Sequence, residues 1–245
     1  MEGKFSVELQ TQPQNITAGE EVLLHLSVMD ADQHMVNRLE NTHEKPLHLI
    51  IVSKDLQEFY HLHPYQLEDG SFMIKHIFPY GGVFRLYADF TPVENQRTVQ
   101  KLELSVDGNR REEIELTVDA ETTKEVNGLD VKLNSGHLVA GKDSQLKVKI
   151  IDRLIHEPVT DLQIYLGTLA HIVIISKDSG EFLHVHSEGH FTDAAAHRHY
   201  MISSSEGLGS IITHTVFPTS GLYKIWIQFK RRDEVHIVPF VLKVE

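Results

Sequence analysis

The chain alternates short apolar runs with polar turn residues, and several of the runs are apolar at every second position. Segments 22–28 and 146–150 both show this alternation. Residues two apart lie on the same face of a strand, so the pattern predicts β-strands rather than helices. Asn127-Gly128 has the composition of a two-residue turn and predicts a tight hairpin between 122–126 and 129–133.

One plan of residues occurs twice along the chain. The matching segments are 18–20 with 140–142, 48–55 with 171–178, 59–63 with 182–186, and 78–86 with 217–225. Because the matches are colinear, they predict two homologous domains. The offset is 122 in the first match, 123 in the middle and 139 in the last, which predicts an insertion in the second copy around 190–208.

About six to eight strands in each copy, separated by turn residues, are typical of a Greek-key sandwich. We therefore predict an all-β fold of two tandem immunoglobulin-like (Greek-key) β-sandwich domains. The first repeat is predicted over 1–108 and the second over 109–245, with its histidine-bearing insertion around 190–208. The polar segment 107–113 is the predicted linker.

Composition narrows the chemistry that the chain can perform. Its 245 residues include 17 histidines and no cysteine, and the net charge is −12. Without thiolates, disulfides, iron–sulfur clusters, cysteine nucleophiles and blue copper sites are excluded, so a metal site would use imidazole and carboxylate. The negative charge argues against a nucleic-acid partner. No apolar segment approaches the ~18–20 residues that membrane insertion requires.

A set of three histidines recurs in the two copies. We call His48, His61 and His63 the first triplet, and His171, His184 and His186 the second triplet. Each His-x-His pair presents two imidazoles on one face of a strand. If the hairpin that joins the His48 strand to the His61–His63 strand is centred near residues 55–56, His48 lies on the same face as the pair. A shift of one residue in this pairing would place His48 on the opposite face. Three converging imidazoles are ligands typical of copper, zinc or nickel.

Further histidines extend the candidate set. His76 and His214 occupy near-matching strands, but His76 is two residues before Phe78 and His214 is three residues before Phe217. They should therefore face opposite sides, and at most one of them could join an equivalent site. The insertion adds His190, His197 and His199, and we include these three and His214 among the candidate metal ligands.

The motif around the first triplet resembles a known bacterial family. It reads His43-Glu-Lys-Pro-Leu-His48-Leu-Ile-Ile-Val-Ser53-Lys-Asp-Leu-x-x-Phe59-x-His61-x-His63-Pro64, followed later by Phe-Pro-x-x-Gly. This is similar to a poorly characterised family of His-x-His-containing β-sandwich repeat proteins, akin to copper-resistance protein C and YtkA-like domains. The resemblance implies an extracytoplasmic location and, for some members, a connection with copper or heavy-metal handling. Ser187 departs from the pattern, since proline usually follows the second His-x-His, and the insertion is enlarged.

The expected function is metal binding, with one histidine site per repeat that sequesters or delivers the ion. A divalent transition metal is the expected cofactor, with copper favoured and zinc and nickel as alternatives. The expected partner is the metal ion, and the identity of any protein partner stays open. The expected location is extracytoplasmic, as a secreted, periplasmic or lipid-anchored protein. The sequence opens directly on a strand pattern without a signal segment, so a cytosolic location or a removed signal both stay open.

Two other classes of function stay open. A metalloenzyme is one, either similar to copper–zinc superoxide dismutase, through His184, His186, His197 and His214, or a two-cupin enzyme, through His61, His63 and Glu68. In the cupin comparison, Phe84 and Tyr223 replace the motif's final histidine. The other class is a structural or interaction module whose histidines serve packing or pH-sensitive association. The sequence favours binding over catalysis.

Overall fold

A computed structural model describes residues 4–187 and 210–245, and every regular element in them is a β-strand. The chain divides into two compact units, Met1–Glu115 and Leu116–Glu245. Each unit has its own apolar core. Within the described residues, no helix is long and apolar enough to cross a membrane. The predicted insertion around 190–208 lies outside the described residues.

The first domain contains nine strands. They are β1 (Phe5–Gln12), β2 (Ile16–Thr17), β3 (Glu21–Asp30), β4 (Leu47–Ser53), β5 (Phe59–Leu62), β6 (Tyr65–Gln66), β7 (Phe72–Ile77), β8 (Gly82–Phe90) and β9 (Thr98–Asp107). One sheet has the order β1-β3-β7-β6 and the other β2-β9-β8-β4-β5. The short strand β2 pairs parallel with β9, whereas the other pairs in this domain are antiparallel.

The described residues of the second domain form ten strands. They are β10 (Thr123–Val126), β11 (Leu129–Asn134), β12 (Asp143–Asp152), β13 (Glu157–Pro158), β14 (Leu162–Gln163), β15 (Ala170–Ser176), β16 (Phe182–His186), β17 (Ser210–Val216), β18 (Gly221–Arg231) and β19 (Glu234–Val244). One sheet pairs β10, β11, β12 and β17 in that order, with β13 also on β12. The other pairs β19, β18, β15 and β16 in that order, with β14 also on β18.

Both domains have the immunoglobulin-like connectivity that the strand spacing predicts. In the first domain the chain passes from one sheet to the other between β3 and β4 and has returned to the first sheet at β7. In the second domain it crosses between β12 and β15 and has returned at β17. We call the sheet that contains β3 and β7, or β12 and β17, the A-B-E sheet, after the corresponding immunoglobulin strands. We call the sheet that contains β5, β4, β8 and β9, or β16, β15, β18 and β19, the C′-C-F-G sheet. Alternate residues of each strand fill the space between the two sheets, for example Leu24 and Leu26 opposite Leu49 and Ile51.

The predicted hairpin at Asn127-Gly128 is confirmed. Val126 pairs directly with Leu129, so only two residues form the turn. Both have positive φ, 46° at Asn127 and 77° at Gly128. These angles are those of a type I′ turn, whose twist suits a two-residue hairpin and which Asn-Gly adopts at low cost.

The two compact units meet after Glu115, seven residues beyond the end of the predicted first repeat at 108. Residues 109–115 belong to the first domain because Asp55 binds them. The Arg111 guanidinium donates to both carboxylate oxygens of Asp55, at 3.0 and 2.8 Å, and the Ile114 backbone N–H donates at 3.0 Å. The Asp55 side chain is only 6% exposed. Arg111, which looks like part of a solvated linker in the sequence, is therefore half-buried in an ion pair with a buried carboxylate.

A substitution of Asp55 tests this contact. Its carboxylate accepts hydrogen bonds from Ser53 Oγ and from the Arg111 guanidinium. We expect Asp55→Ala to lower the free energy of unfolding by about 2–3 kcal/mol, because Arg111 loses its carboxylate partner. Lys54→Ala is the control: it removes an exposed ion pair with Glu113 and should cost at most about 1 kcal/mol. Urea denaturation followed by circular dichroism measures both, and an equal or larger loss in Lys54→Ala would contradict this assignment.

Candidate metal centres

The register of one hairpin in each domain determines where the triplets lie. In the first domain Ile50 pairs with His61, so the hairpin is centred between residues 55 and 56 as predicted. In the second domain Val173 pairs with His184 and His171 pairs with His186. All three histidines of a triplet therefore lie on one face of the β4–β5 or β15–β16 hairpin.

The triplets lie on the face of the C′-C-F-G sheet that points away from the sandwich core. In β4, Leu47, Leu49 and Ile51 contribute to the core, whereas His48 and Ile50 alternate with them on the outer face. His48 is only 2% exposed and Ile50 is fully buried. The outer face at this point is therefore as buried as the inner one.

Serine and aspartate residues shape the turn of each hairpin. In the first domain Ser53 Oγ donates to Asp55 Oδ1 at 2.6 Å and accepts the Glu58 backbone N–H at 2.9 Å. In the second, Ser176 and Asp178 form the same contact, and Ser176 Oγ accepts the Glu181 N–H at 2.9 Å. These hydrogen bonds stabilise the turn that determines the register.

The three rings of the first triplet are in mutual contact. Their centroids lie 5.3 Å apart for His48–His61, 5.0 Å for His48–His63 and 4.7 Å for His61–His63. The Nδ1 of His48 and the Nε2 of His61 are separated by 3.1 Å. The Nε2 of His63 is buried and has no hydrogen-bond partner in the described part of the chain.

The second triplet repeats this arrangement closely. Its centroid distances are 5.5 Å for His171–His184, 4.7 Å for His171–His186 and 4.6 Å for His184–His186. The Nδ1 of His171 lies 3.3 Å from the Nε2 of His184. One ring nitrogen from each of the three residues lies within 4.8 Å of the others.

A backbone carbonyl orients the first histidine of each triplet. The Nε2–H of His48 donates to the Thr42 carbonyl at 2.8 Å, and that of His171 donates to the Tyr165 carbonyl at 3.0 Å. With its proton on Nε2, each ring directs the Nδ1 lone pair towards the other imidazoles. Metal-binding histidines in proteins are oriented by the same kind of contact.

The sequence analysis did not identify these carbonyls. Each belongs to a two-residue turn, in which Thr42 pairs with Lys45 and Tyr165 pairs with Thr168. Both turns have positive φ at their central residues, including 51° and 66° at 43 and 44. Gly167 in the second copy is a turn signal, whereas His43-Glu44 in the first is not, so only the duplication could have indicated the first turn.

Burial favours the neutral form of two imidazoles of the first triplet, His48 and His63. It lowers the pKa of His48 below the usual value, although the Thr42 hydrogen bond and the Asp89 carboxylate act in the opposite direction. Burial also lowers the pKa of His63 to about 3, and the charges of His61, His48 and Lys45 add to the effect. A proton therefore competes only weakly for these ring nitrogens near neutral pH.

His76 and His214 face opposite sides, as their spacing predicts, and neither completes a triplet. His76 pairs with Val22 and is buried in the core, where its ring packs edge-on against Tyr60 and Phe78. Tyr60 and His61 are adjacent in β5 and point to opposite faces of the sheet. The sheet itself therefore separates His76 from the first triplet.

The inclusion of His214 among the ligands requires correction. It pairs with Gln145 on the exposed face of the A-B-E sheet, and its Nδ1 lies 2.8 Å from an Asp143 carboxylate oxygen. The preceding residue, Thr213, points the other way and donates its hydroxyl to the His186 carbonyl at 2.8 Å. Because neighbouring residues of a strand face opposite sides, His214 points away from the second triplet. The candidates His190, His197 and His199 lie outside the described residues.

Neither enzymatic comparison finds its full set of residues in the described structure. In the dismutase-like set, His214 points away from His184 and His186, on the exposed face of the other sheet, and His197 lies outside the described residues. In the cupin comparison, Phe84 and Tyr223 pack inside the two apolar cores. The sheets also have immunoglobulin-like connectivity rather than the paired Greek keys of a cupin jelly roll.

Comparison with known proteins identifies the family. The matching family model is described as a domain of unknown function (DUF8832), and it covers residues 2–108 and 124–245. The chain belongs to this family. Its two matched segments correspond to the two domains, with the gap over the end of the first domain and the start of the second. A search of curated proteins finds no match.

Solved structures with some similarity include bacterial adhesins and a fibronectin type III pair. The Escherichia coli adhesin FdeC is 14% identical over 100% of this chain and 65% of its own, with a TM-score of 0.30. The Yersinia pseudotuberculosis adhesin InvE is 11% identical, and the match covers 98% of this chain and 60% of its own, with a TM-score of 0.29. Two fibronectin type III domains of chicken tenascin are 13% identical over 97% of both chains, with 0.26. This chain thus spans less than two thirds of either adhesin chain, and similarity at this level indicates nothing about function.

The buried His76 predicts a defined loss of stability in acid. Its pKa is lowered to about 4 by burial, whereas an exposed imidazole has a pKa near 6.5. Above pH 6.5 the His76 imidazole is neutral in both the folded and the unfolded chain. Between pH 6.5 and about pH 4 only the unfolded chain binds the proton, so the free energy of unfolding falls as the pH is lowered through this range. Between pH 7 and 5 we expect wild type to lose about 2 kcal/mol more than His76→Phe.

Urea unfolding at the two pH values measures this difference. His156→Asn is the control, because it removes an exposed imidazole, and it should lose as much stability as wild type. If His76→Phe has the same pH dependence of stability as wild type, the pKa of His76 is not lowered in the folded state.

Proposed function

We propose that the protein binds transition-metal ions, with copper favoured, at one triplet in each domain, and sequesters or delivers them outside the cytoplasm. The observation that carries this proposal is the repeated arrangement of three imidazoles, two buried and one half-buried, on one sheet face. In both domains the first ring is oriented by a carbonyl so that its Nδ1 lone pair faces the second ring. The extracytoplasmic location follows the family resemblance of the motif.

The nitrogen distances suit a shared ion. Copper and zinc bind imidazole nitrogen at about 2.0–2.1 Å, so two ligands at 90–110° lie about 2.9–3.4 Å apart. The separations of 3.1 Å for His48–His61 and 3.3 Å for His171–His184 fall in that range. The buried Nε2 of His63 supports the same proposal, since an ion would supply the partner that it lacks.

The donor set favours copper among the candidate ions. Imidazole is a borderline ligand that suits copper, zinc and nickel, and copper(II) is the strongest binder of the divalent series. Three protein ligands leave room for water or another small ligand in the coordination sphere. When bound, the ion would supply its Lewis acidity, and in the case of copper its redox chemistry. The chain's own residues would hold and orient it.

A structural role for the triplets is the competing interpretation. The same separations allow His61 Nε2–H to donate to His48 Nδ1, and His184 to do so to His171, as ordinary hydrogen bonds. In that case the triplets would connect β4 to β5 and β15 to β16 without any ion. The two interpretations differ in whether the folded chain takes up metal.

Metal uptake by site variants tests the proposal. We expect the wild-type chain to take up about two copper(II) ions, with one lost in His61→Ala/His63→Ala and one in His184→Ala/His186→Ala. Each double variant removes two of three ligands, which should weaken its site by at least about a hundredfold, since loss of outer partners alone costs 10–100-fold. Elemental analysis after copper loading and desalting gives the stoichiometry, and zinc and nickel are tested in parallel.

His76→Ala serves as the matched control in the first domain. It also removes a buried strand imidazole, but one on the core side of the sheet, so its copper content should equal that of wild type. Wild-type protein that stays metal-free under excess copper, zinc and nickel would reject the proposal and favour the structural interpretation.

A further inference from the structure

One turn of the second domain presents two large aliphatic side chains to water. Leu154 and Ile155 lie between β12 and β13, and they are 88% and 59% exposed. Single exposed aliphatic residues are ordinary on protein surfaces, but here two stand next to each other at the end of a hairpin. We call residues 153–156 the apolar tip.

Hydrogen bonds fix the conformation of the apolar tip. Asp152, the last residue of β12, accepts the Leu154 N–H on Oδ1 at 3.0 Å and the His156 N–H on its backbone carbonyl at 2.8 Å. The Arg231 guanidinium donates to the other carboxylate oxygen of Asp152 at 2.9 Å. The two aliphatic side chains are therefore held outside the domain by the fold itself.

Every backbone N–H group of the apolar tip has a partner within the second domain. Besides the two bonds to Asp152 already described, the Arg153 N–H donates to the Gly128 carbonyl at 3.0 Å. The Ile155 N–H donates to the Asp152 carboxylate. An unpaired backbone N–H is costly outside water. The tip can therefore enter an apolar medium without that cost.

The first domain has the corresponding turn with polar residues. Asp30 Oδ1 accepts the Asp32 N–H at 2.9 Å, as Asp152 Oδ1 accepts the Leu154 N–H. The offset of 122 residues aligns these two contacts. The exposed residues that follow Asp30 are an alanine, an aspartate and a glutamine. The turn therefore does not require aliphatic side chains at its tip.

The arginines beside the apolar tip are bound by carboxylates. Arg153 contacts Glu125, and its Nε lies 3.4 Å from Asp130 Oδ1. Arg231 is bound by Asp152. These ion pairs leave neither arginine to attract an acidic surface, and the net charge of the chain is −12. A neutral surface therefore suits the tip better than an acidic one.

Two aliphatic side chains suit a lipid surface better than a protein pocket. A stable protein interface buries about 800 Å² per partner through roughly 20–30 residues, and its anchoring residues are most often Trp, Tyr or Arg. Here the apolar surface is limited to Leu154 and Ile155, with ion pairs at their base. A lipid surface requires neither an extended contact area nor a complementary shape.

We propose that the apolar tip docks on the surface of a neutral lipid membrane, with Leu154 and Ile155 inserted at the level of the headgroups. The inference is independent of the metal-binding function and needs no segment that spans the membrane. Full burial of a leucine or isoleucine side chain changes partitioning by about ten- to a hundredfold. Two such side chains therefore give weak and reversible binding.

Sedimentation with phosphatidylcholine vesicles tests this inference. We expect the wild-type chain to bind, with no gain when the vesicles also contain phosphatidylglycerol. Leu154→Gln/Ile155→Gln should bind at least about tenfold more weakly, because it loses the apolar surface. Ile77→Gln is the matched control and should bind as wild type does, since it removes an aliphatic residue that is 52% exposed but lies in β7 rather than in the tip.

A fluorescent label gives a second measurement that does not depend on removing the tip. Because the chain has no cysteine, Ile155→Cys provides a single attachment point for an environment-sensitive fluorophore. We expect its emission to shift to shorter wavelength when phosphatidylcholine vesicles are added. The same label on Asp32→Cys, in the corresponding turn of the first domain, should not shift.

Either measurement can overturn the inference. If wild type sediments with neither kind of vesicle, or if the label at 155 shifts no more than the label at 32, the tip does not contact lipid and a protein pocket explains its exposure better. If binding requires phosphatidylglycerol, or if Leu154→Gln/Ile155→Gln binds as well as wild type, another part of the chain binds the vesicles.

Discussion

In each domain, the meeting of the three triplet histidines on one sheet face depends on the register of one β-hairpin. Side chains alternate between the faces of a strand, so a shift of one residue in the β4–β5 pairing would move His48 into the sandwich core. The observed pairing of Ile50 with His61 keeps it on the outer face. The turn enforces this pairing, because Ser53 and Asp55 use their side-chain oxygens to bind the backbone and each other. Local turn chemistry thus determines whether three imidazoles meet at all.

Much of this arrangement could be predicted from the residues alone. The period-two pattern and the duplication indicate the strands and the two sandwiches, and the spacing of His48 from His61 and His63 indicates the shared face. The opposite orientations of His76 and His214 follow from counting residues back from Phe78 and Phe217. These features are predictable because they depend only on alternation and chain length, which are visible in any strand sequence.

The features that escaped prediction depend on contacts between residues distant in sequence or on unusual backbone angles. Asp55 and Arg111 are 56 residues apart, and nothing in a polar segment shows that one of its arginines is bound by a buried carboxylate. The turn at His43-Glu44 has positive φ without glycine or asparagine, so residue type does not reveal it. The burial of the outer sheet face at Ile50 is likewise a tertiary property, since its sequence differs little from that of a half-buried strand.

The duplication has also placed unlike aromatic residues beside the two triplets. Val173 pairs with His184 on one side and with Trp226 on the other, so the only tryptophan of the chain shares the face of the second triplet. Two strand spacings, about 9–10 Å, separate its backbone from that of His184. In the first domain the same position holds Tyr87, across from Ile50. The chain therefore contains a natural optical label in its second domain: indole emission reports on the surroundings of the second triplet.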